Sequence, residues 1–432
     1  MVLRAMYTGV SGLRAEGEAL GVVGDNIANV NTVGYKRQRA IFQDVLGHSI
    51  LAGTASAMPG SGVRVGDVQQ MFTQGSLANT GISTDVALNG DGFLVVAGTV
   101  DGITGNFYTR AGQFTIDNSG YLVNSDGLEV QGYAANADLT LQAAVSSLRV
   151  PTASLAPHAT SEITVTANLD AAAEIIPAAF DPTNPSPGAN YSTTITVYDS
   201  LGESRTLDVY FRKTAENAWD YHVVADGSEL AGGTEGVFQE VGTGTLQFDT
   251  NGALLDATTP QLSLDFGDGA TPGQLITLEF GDDITNDGAS GLSGTTQFAS
   301  GSAVSSQSQN GYASGEFSGV AIDGQGLVQG LYTNGQKIAI GQLAVAKFRS
   351  NDGLGRAGAG LWIETRDSGT AALGGAATGG RASVTSGALE QSNVDLAEEF
   401  VGLIQHQRSY SANSKTITTA DEMLQELINI KR

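Results

Sequence analysis

Asp367-Ser368-Gly369 matches the D-[ST]-G pattern in which an aspartate shares a proton with a second carboxylate. That chemistry needs a second copy of the triplet facing the first, and the chain has none. The four histidines (His48, His158, His222 and His406) lie far apart, with neither an H-E-x-x-H pair nor a Cys/His cluster to hold zinc. Cysteine is absent, so neither disulfides nor thiolate ligands are available. Asp117, Asn118, Asn124 and Asp126 cluster, but a calcium loop needs ligands at alternate positions, then a glycine and a closing glutamate. Asp117-Asn118-Ser119-Gly120-Tyr121 breaks that spacing and reads as turn chemistry. A G-x-S-x-G elbow and a Walker A loop are also missing. No catalytic residue, metal ligand or cofactor is therefore expected.

The elements carry more information than these residues do. A chain of 432 residues can hold two or three domains with real cores. Its net charge of −24 argues against nucleic acid and anionic membrane surfaces as partners. With only 15% charged residues and abundant Gly and Ala, it lacks the charge density of a disordered acidic chain. No apolar run reaches the roughly eighteen residues of a membrane span. Thr8, Gly9, Ser11, Arg14 and Glu16 interrupt what would be a signal-peptide core, so no signal peptide is expected; taken alone this points to the cytosol, and the alternative is export by a route that reads no cleavable signal.

At the N-terminus Leu3, Met6, Val10, Leu13, Leu20 and Ile27 fall on an alternating three–four spacing, with Gly17 and Gly24 at the two vacant seam positions. This predicts an amphipathic helix seeking a partner, weakened at Asn29, Asn31 and Thr32, with Gly34 as its left-handed cap. Leu396, Phe400, Leu403, Tyr410, Ile417, Leu424 and Ile428 repeat the spacing at the other end, interrupted by Gln407, Ser414 and Asp421. The two helices would run roughly 40 and 60 Å. Neither stripe is wide enough for a globular core, and a lone pair is marginal in water. They form either an intramolecular hairpin tying the termini together or a pair that completes its core against neighbouring copies.

Between the helices, residues 41–75 read as a connector broken by Pro59, Gly60 and Gly62. Ala87 to Val96 and Phe114 to Gly127 are short apolar strands separated by Asn/Asp/Gly turns, as in hairpins. Composition shifts near Val150-Pro151. Beyond it Tyr191, Thr193, Ile195 and Val197, then Leu207, Val209 and Phe211, then Trp219, Tyr221 and Val223 alternate through a meander with an Asp199–Gly202 turn. Further segments near Leu246, Leu262 and Leu275 complete an all-β domain, and the Gly/Ser/Gln stretch from Ala299 to Gln309 reads as its return linker. Asp323 to Gln336 forms another hairpin, followed by a long strand from Ile338 to Phe348.

Val10 to Lys36 and Ser386 to Leu427 resemble, long and nearly unbroken, the axial proteins of the bacterial flagellum, and so does NGDGF…YTRAGQFTIDNSGYLVNSDGLEVQGY. The central YSTTITVYDSLGESRTLDVYF and the later GLGRAGAGLWIETRDSG resemble the hook members of that family. The resemblance implies a secreted structural subunit that polymerises into a curved hollow tube, a universal joint passing torque from motor and rod to filament. Its implied partners are further copies of itself, the distal rod, the hook cap, the hook–filament junction proteins and the flagellar export apparatus. The expected fold is mixed α and β and multi-domain. Terminal helices (residues 1–40 and 386–432) pair in a coiled-coil-like core; an inner β domain (76–149 and 310–385) and an inserted outer β domain (150–309) nest within them. The thirteen apolar positions on the two helices are the expected contacts between subunits. The other readings are a rod-type axial protein with an extra outer domain and a secreted β-rich binding module whose helices merely dimerise.

Overall fold

A computed structural model describes residues 2–46, 60–136, 140–259 and 261–430, with a helix at each end of a mostly β chain. His48, Pro59 and the side chain of Leu3 lie outside what is described. The chain folds as two compact units: Met1–Thr152, Ser318–Leu331 and Lys337–Arg432 form one, Ala153–Phe317 and Tyr332–Gln336 the other.

In the first unit helix α1 spans Val2–Ala28 and α2 spans Leu396–Ile430. Helix α1 ends well before Gly34. Asn29 terminates it, its backbone N–H and its side-chain amide both donating to the Asp25 carbonyl, at 3.1 and 2.9 Å. Gly34 is left-handed (φ 71°), as expected of a cap, yet it serves elsewhere: its N–H donates to the Glu390 carbonyl at 2.8 Å. A Cβ there would come within 2.7 Å of the Arg110 and Ala111 backbone.

The expected connector contains a long antiparallel hairpin, β1 (Gln38–Leu46) and β2 (Gly60–Gln70), with Gln38 opposite Gln70. It lies on α1, where Ser11 Oγ accepts from the Val63 N–H at 3.2 Å. The rest of the unit is a large, mainly antiparallel sheet. Strands Lys337–Lys347, Glu129–Ala135, Phe93–Val100 and Ile103–Thr109 lie side by side in that order at its centre. Phe93, Val95, Tyr108, Ala344, Ala346, Phe348 and Trp362 fill its core. The suspected calcium residues cap turns: Asp117 accepts from the Ser119 and Tyr121 N–H groups, and Asn124 from those of Asp126 and Leu128. Ser368 is buried in a turn, its hydroxyl 3.0 Å from both the Thr365 and Gly369 carbonyls and accepting from the Thr365 N–H.

The second unit stacks two sheets. Five antiparallel strands run in chain order from Tyr191–Tyr198 to Leu254–Ala257; the four-stranded partner includes Glu162–Asn168 and Gln274–Glu279, paired in parallel. Ile195, Leu207, Phe211, Trp219 and Tyr221 from one sheet meet Ile163, Leu262, Ile276 and Leu278 from the other. This inward alternation is what the sequence spells out. The expected return linker is instead partly a strand, Ala303–Gln309, antiparallel to Glu162–Asn168. It is an edge strand with mostly exposed, polar side chains, so it leaves no apolar alternation to read.

Candidate functional site

Where α1 ends, Asn26 is 1% exposed and grips the start of β1. Its Nδ2 donates to the Gln38 carbonyl at 2.8 Å, and its Oδ1 accepts from the Gln38 N–H at 2.9 Å. The Tyr35 hydroxyl donates to Asp25 Oδ2 at 3.1 Å and accepts from the Gln38 amide at 2.9 Å. Burial, with the nearby Asp25 charge, pushes the Tyr35 phenol up to about 12. The run from Asn26 to Lys36 is therefore a clamp fixing how the helix leaves the β structure.

One residue further, Lys36 enters a buried triad. Its Nζ lies 2.6 Å from Glu390 Oε1 and donates to the Thr73 carbonyl, while Arg110 Nη1 lies 3.1 Å from Glu390 Oε2. Glu390 also accepts from the Gly75 N–H at 2.9 Å. Burial outweighs the attraction to Glu390 and, with the Arg110 charge, holds the Lys36 pKa below its usual value. Arg110 also donates to the Gly90 carbonyl and lies over the Phe93 ring. Such a cluster persists because every charge has a partner; removing one leaves an uncompensated buried ion, at about 3–5 kcal/mol. Next to it Arg37 reaches Glu398 at 2.8 Å and Glu399 at 2.5 Å, the latter a contact without hydrogen-bond geometry. Asn393 accepts from the Arg37 N–H and donates to the Met71 carbonyl. Three distant segments, ending in Lys36, Arg110 and Glu390, thus close on one point at the root of both helices.

Beyond this joint α1 and α2 run antiparallel. A Cβ on Gly9 would meet Ile417 at 2.9 Å and one on Gly12 would meet Asn413 at 2.6 Å, while Glu16 Oε2 lies 2.7 Å from His406 Nδ1. The His406 ring also stacks on Phe42 of β1. The buried stripe of α1 is Gly9, Gly12, Ala15, Ala19, Val23 and Asn26, which is out of phase with the seam expected from the sequence. Small residues occupy it because the helices approach too closely for larger ones. Met6, Val10, Leu13, Leu20 and Ile27 flank the stripe, half-buried, while Gly17, Gly21 and Gly24 face outward with nothing near their missing Cβ positions. On α2, Leu403, Ile417 and Leu424 are half-buried, whereas Leu396, Phe400, Tyr410 and Ile428 are exposed.

Lys36, Arg110 and Glu390 fall inside the motifs that carry the resemblance, and no local pattern assigns them a role. The signal in the sequence is a charge directly beside a short glycine-bearing segment in each of three places, GYK, TRAG and GALE. The three described histidines remain apart: His158 stacks on Tyr312, His222 lies against Glu240 and His406 against Glu16. Among the described residues no group of three or more His, Asp or Glu side chains is placed to hold a metal, and no helix is long and apolar enough to cross a membrane.

Residues 6–36 match the family described as "Flagella basal body rod protein", and residues 385–430 match "Flagellar basal body rod FlgEFG protein C-terminal". Residues 87–168 match "Flagellar hook protein FlgE/F/G D1 domain" and residues 168–312 match "Flagellar basal body protein FlaE D2 domain". The flagellar hook protein FlgE of Escherichia coli (strain K12) is 34% identical over 433 residues, which cover 99% of this chain and 100% of the relative. The chain belongs to the flagellar hook protein family. The FlgE of Borreliella burgdorferi is 33% identical over 463 residues, covering 100% of both chains. The crystal structure of Helicobacter pylori flagellar hook protein FlgE2 shares the fold at a TM-score of 0.53 and 14% identity, over 73% of this chain and 100% of that one. As a member of this family the chain is a structural subunit of the extracellular flagellar hook, attached to the basal body.

Proposed function

We propose that copies of this chain assemble through α1 and α2 into a hollow helical tube that bends while transmitting torque. The observation that carries this reading is the uncovered apolar side of α2. Phe400 is 52% exposed, Val401 56% and Ile428 65%, with Leu396, Ile404, Tyr410 and Met423 also open to solvent. A 35-residue helix with this much apolar surface is incomplete alone. Its bulky residues complement the outward glycines of α1 on another copy, Gly17, Gly21 and Gly24, where a backbone can approach closely. Contacts of this heterologous kind generate an open filament when they do not close a ring.

In this reading the expected apolar positions whose side chains are described divide between two tasks. Leu403, Ile417 and Leu424, with the α1 positions from Met6 to Ile27, support a coiled-coil-like pairing within the chain and the edges of the inter-subunit contact. Leu396, Phe400, Tyr410 and Ile428 serve neighbouring copies. The inner β domain (76–149 and 310–385) is nested in sequence between the helices, and the inserted domain (150–309) is assigned the outer role. The role is mechanical, with no catalytic step. Further partners are the distal rod, the hook cap, the junction proteins and the export apparatus.

The test is Phe400→Asp. It leaves the intramolecular side of α2 untouched yet places a charge in the contact between copies, at a cost of several kcal/mol. The variant should fold and stay monomeric by sedimentation and electron microscopy under conditions where the parent forms tubes. Parent-like tubes would overturn the interface.

A further inference from the structure

The second unit holds twenty-two Asp and Glu residues against three cations, a formal charge of −19 out of the chain's −24. None of those cations is free at the surface. Arg205 is spent on Asp199, Glu203 and Asp268; Arg212 pairs with Asp220; Lys213 is buried, donating to the Ala171 carbonyl. Their side chains are 6%, 12% and 3% exposed. The first unit, by contrast, is nearly balanced, with eighteen cations against twenty-three carboxylates. One unit therefore presents a surface of a single sign while the unit bearing the helices does not.

From this asymmetry, and resting on the polymer reading above, we infer that the inserted units act as an electrostatic spring between copies, set by the surrounding cations. In a polymer each such unit faces equivalent units of neighbours, and no exposed cation is available to cross-pair. Like charges then repel over a Debye length, about 30 Å at 0.01 M salt and about 3 Å at 1 M. Low ionic strength pushes the inserted units apart and opposes assembly; high ionic strength lets them approach, as where one side of a bent tube is compressed. The partner of this surface is the diffuse cation atmosphere, with no fixed coordination site. The net charge works against compact association here while the helix contacts drive it.

Full-length protein is polymerised in 10 mM and 500 mM NaCl, and in MgCl2 matched to the higher ionic strength, and the critical concentration and tube curvature are measured. The critical concentration should fall on the order of tenfold between the two NaCl conditions, with matched MgCl2 giving at least the same fall. A variant with Glu162, Glu174, Glu235, Glu279 and Glu316 changed to Gln removes five exposed charges that make no side-chain hydrogen bond. It should fold by circular dichroism, polymerise more readily at 10 mM NaCl and show a flatter salt dependence. Tubes whose critical concentration and curvature ignore salt, or a variant with the parent's salt slope, would overturn the inference. Failure to form tubes under any condition would instead overturn the polymer reading.

Discussion

Lys36 Nζ and Glu390 Oε1 lie 2.6 Å apart, both buried, although 354 residues separate them. Arg110 completes the triad from a third segment, and the two helices leave from this point. The ion pair thus ties the exits of both terminal helices to the sheet and sets the direction from which any inter-subunit contact starts.

Changing Glu390 to Gln should strip the compensating charge from both Lys36 and Arg110 and destabilise the first unit by about 3–5 kcal/mol. Urea unfolding followed by circular dichroism measures this. Adding Lys36→Met should restore part of the loss, because one of the two stranded cations goes with it. A single variant as stable as the parent would show that the triad does not hold the joint.

Glycines on the two sides of α1 should respond oppositely. Gly12→Leu would collide with Asn413 and should destabilise the monomer. Gly21→Leu meets nothing within 4 Å and replaces a poor helix former, so the monomer should gain about 0.5–1 kcal/mol. Tubes should nevertheless fail to form from Gly21→Leu, since the added side chain fills the groove assigned to a neighbour. Normal tubes from this variant would place the contact elsewhere.

The second unit should fold by itself. Residues 153–317 contain the full inter-sheet core around Trp219, Tyr221 and Phe280. This fragment should melt cooperatively with a β-type circular dichroism spectrum. A disordered fragment would show that its core depends on the rest of the chain.

Alkaline pH should loosen the first unit. Tyr35 and Tyr108 are raised from 10.0 to about 12, chiefly by burial. A group whose folded pKa is raised contributes stability that is complete below the unfolded value and lost as pH climbs to the folded one. The loss therefore falls between pH 10 and 12, about 2–3 kcal/mol per tyrosine. Lys36, lowered by burial, acts in the opposite sense, so the comparison to make is with Tyr35→Phe. That variant should lose less stability across the window; an identical pH profile would refute the assignment.

Much of the β architecture was legible because alternation is a local signal. Ile195, Val197, Leu207, Val209, Trp219 and Tyr221 each face the core at the position their spacing predicts. The two helices were legible for the same reason. The phase of α1 was not: its buried stripe is built from Gly9, Gly12, Ala15 and Ala19, which a hydrophobic pattern scarcely registers. The hairpin of β1 and β2 and the edge strand Ala303–Gln309 also escaped, since much of their side-chain surface faces solvent.

By itself the sequence determined the two terminal helices and the apolar, alternating strands, the absence of a catalytic pattern and, through its motifs, the axial-protein resemblance, because each depends on residues near one another in the chain. The tertiary structure alone decided that Lys36, Arg110 and Glu390 form one joint, that Gly34 fits the backbone beside Arg110, and which sides of α1 and α2 remain open. Those facts depend on long-range closure, where burial and Coulomb attraction act between residues that no local period connects.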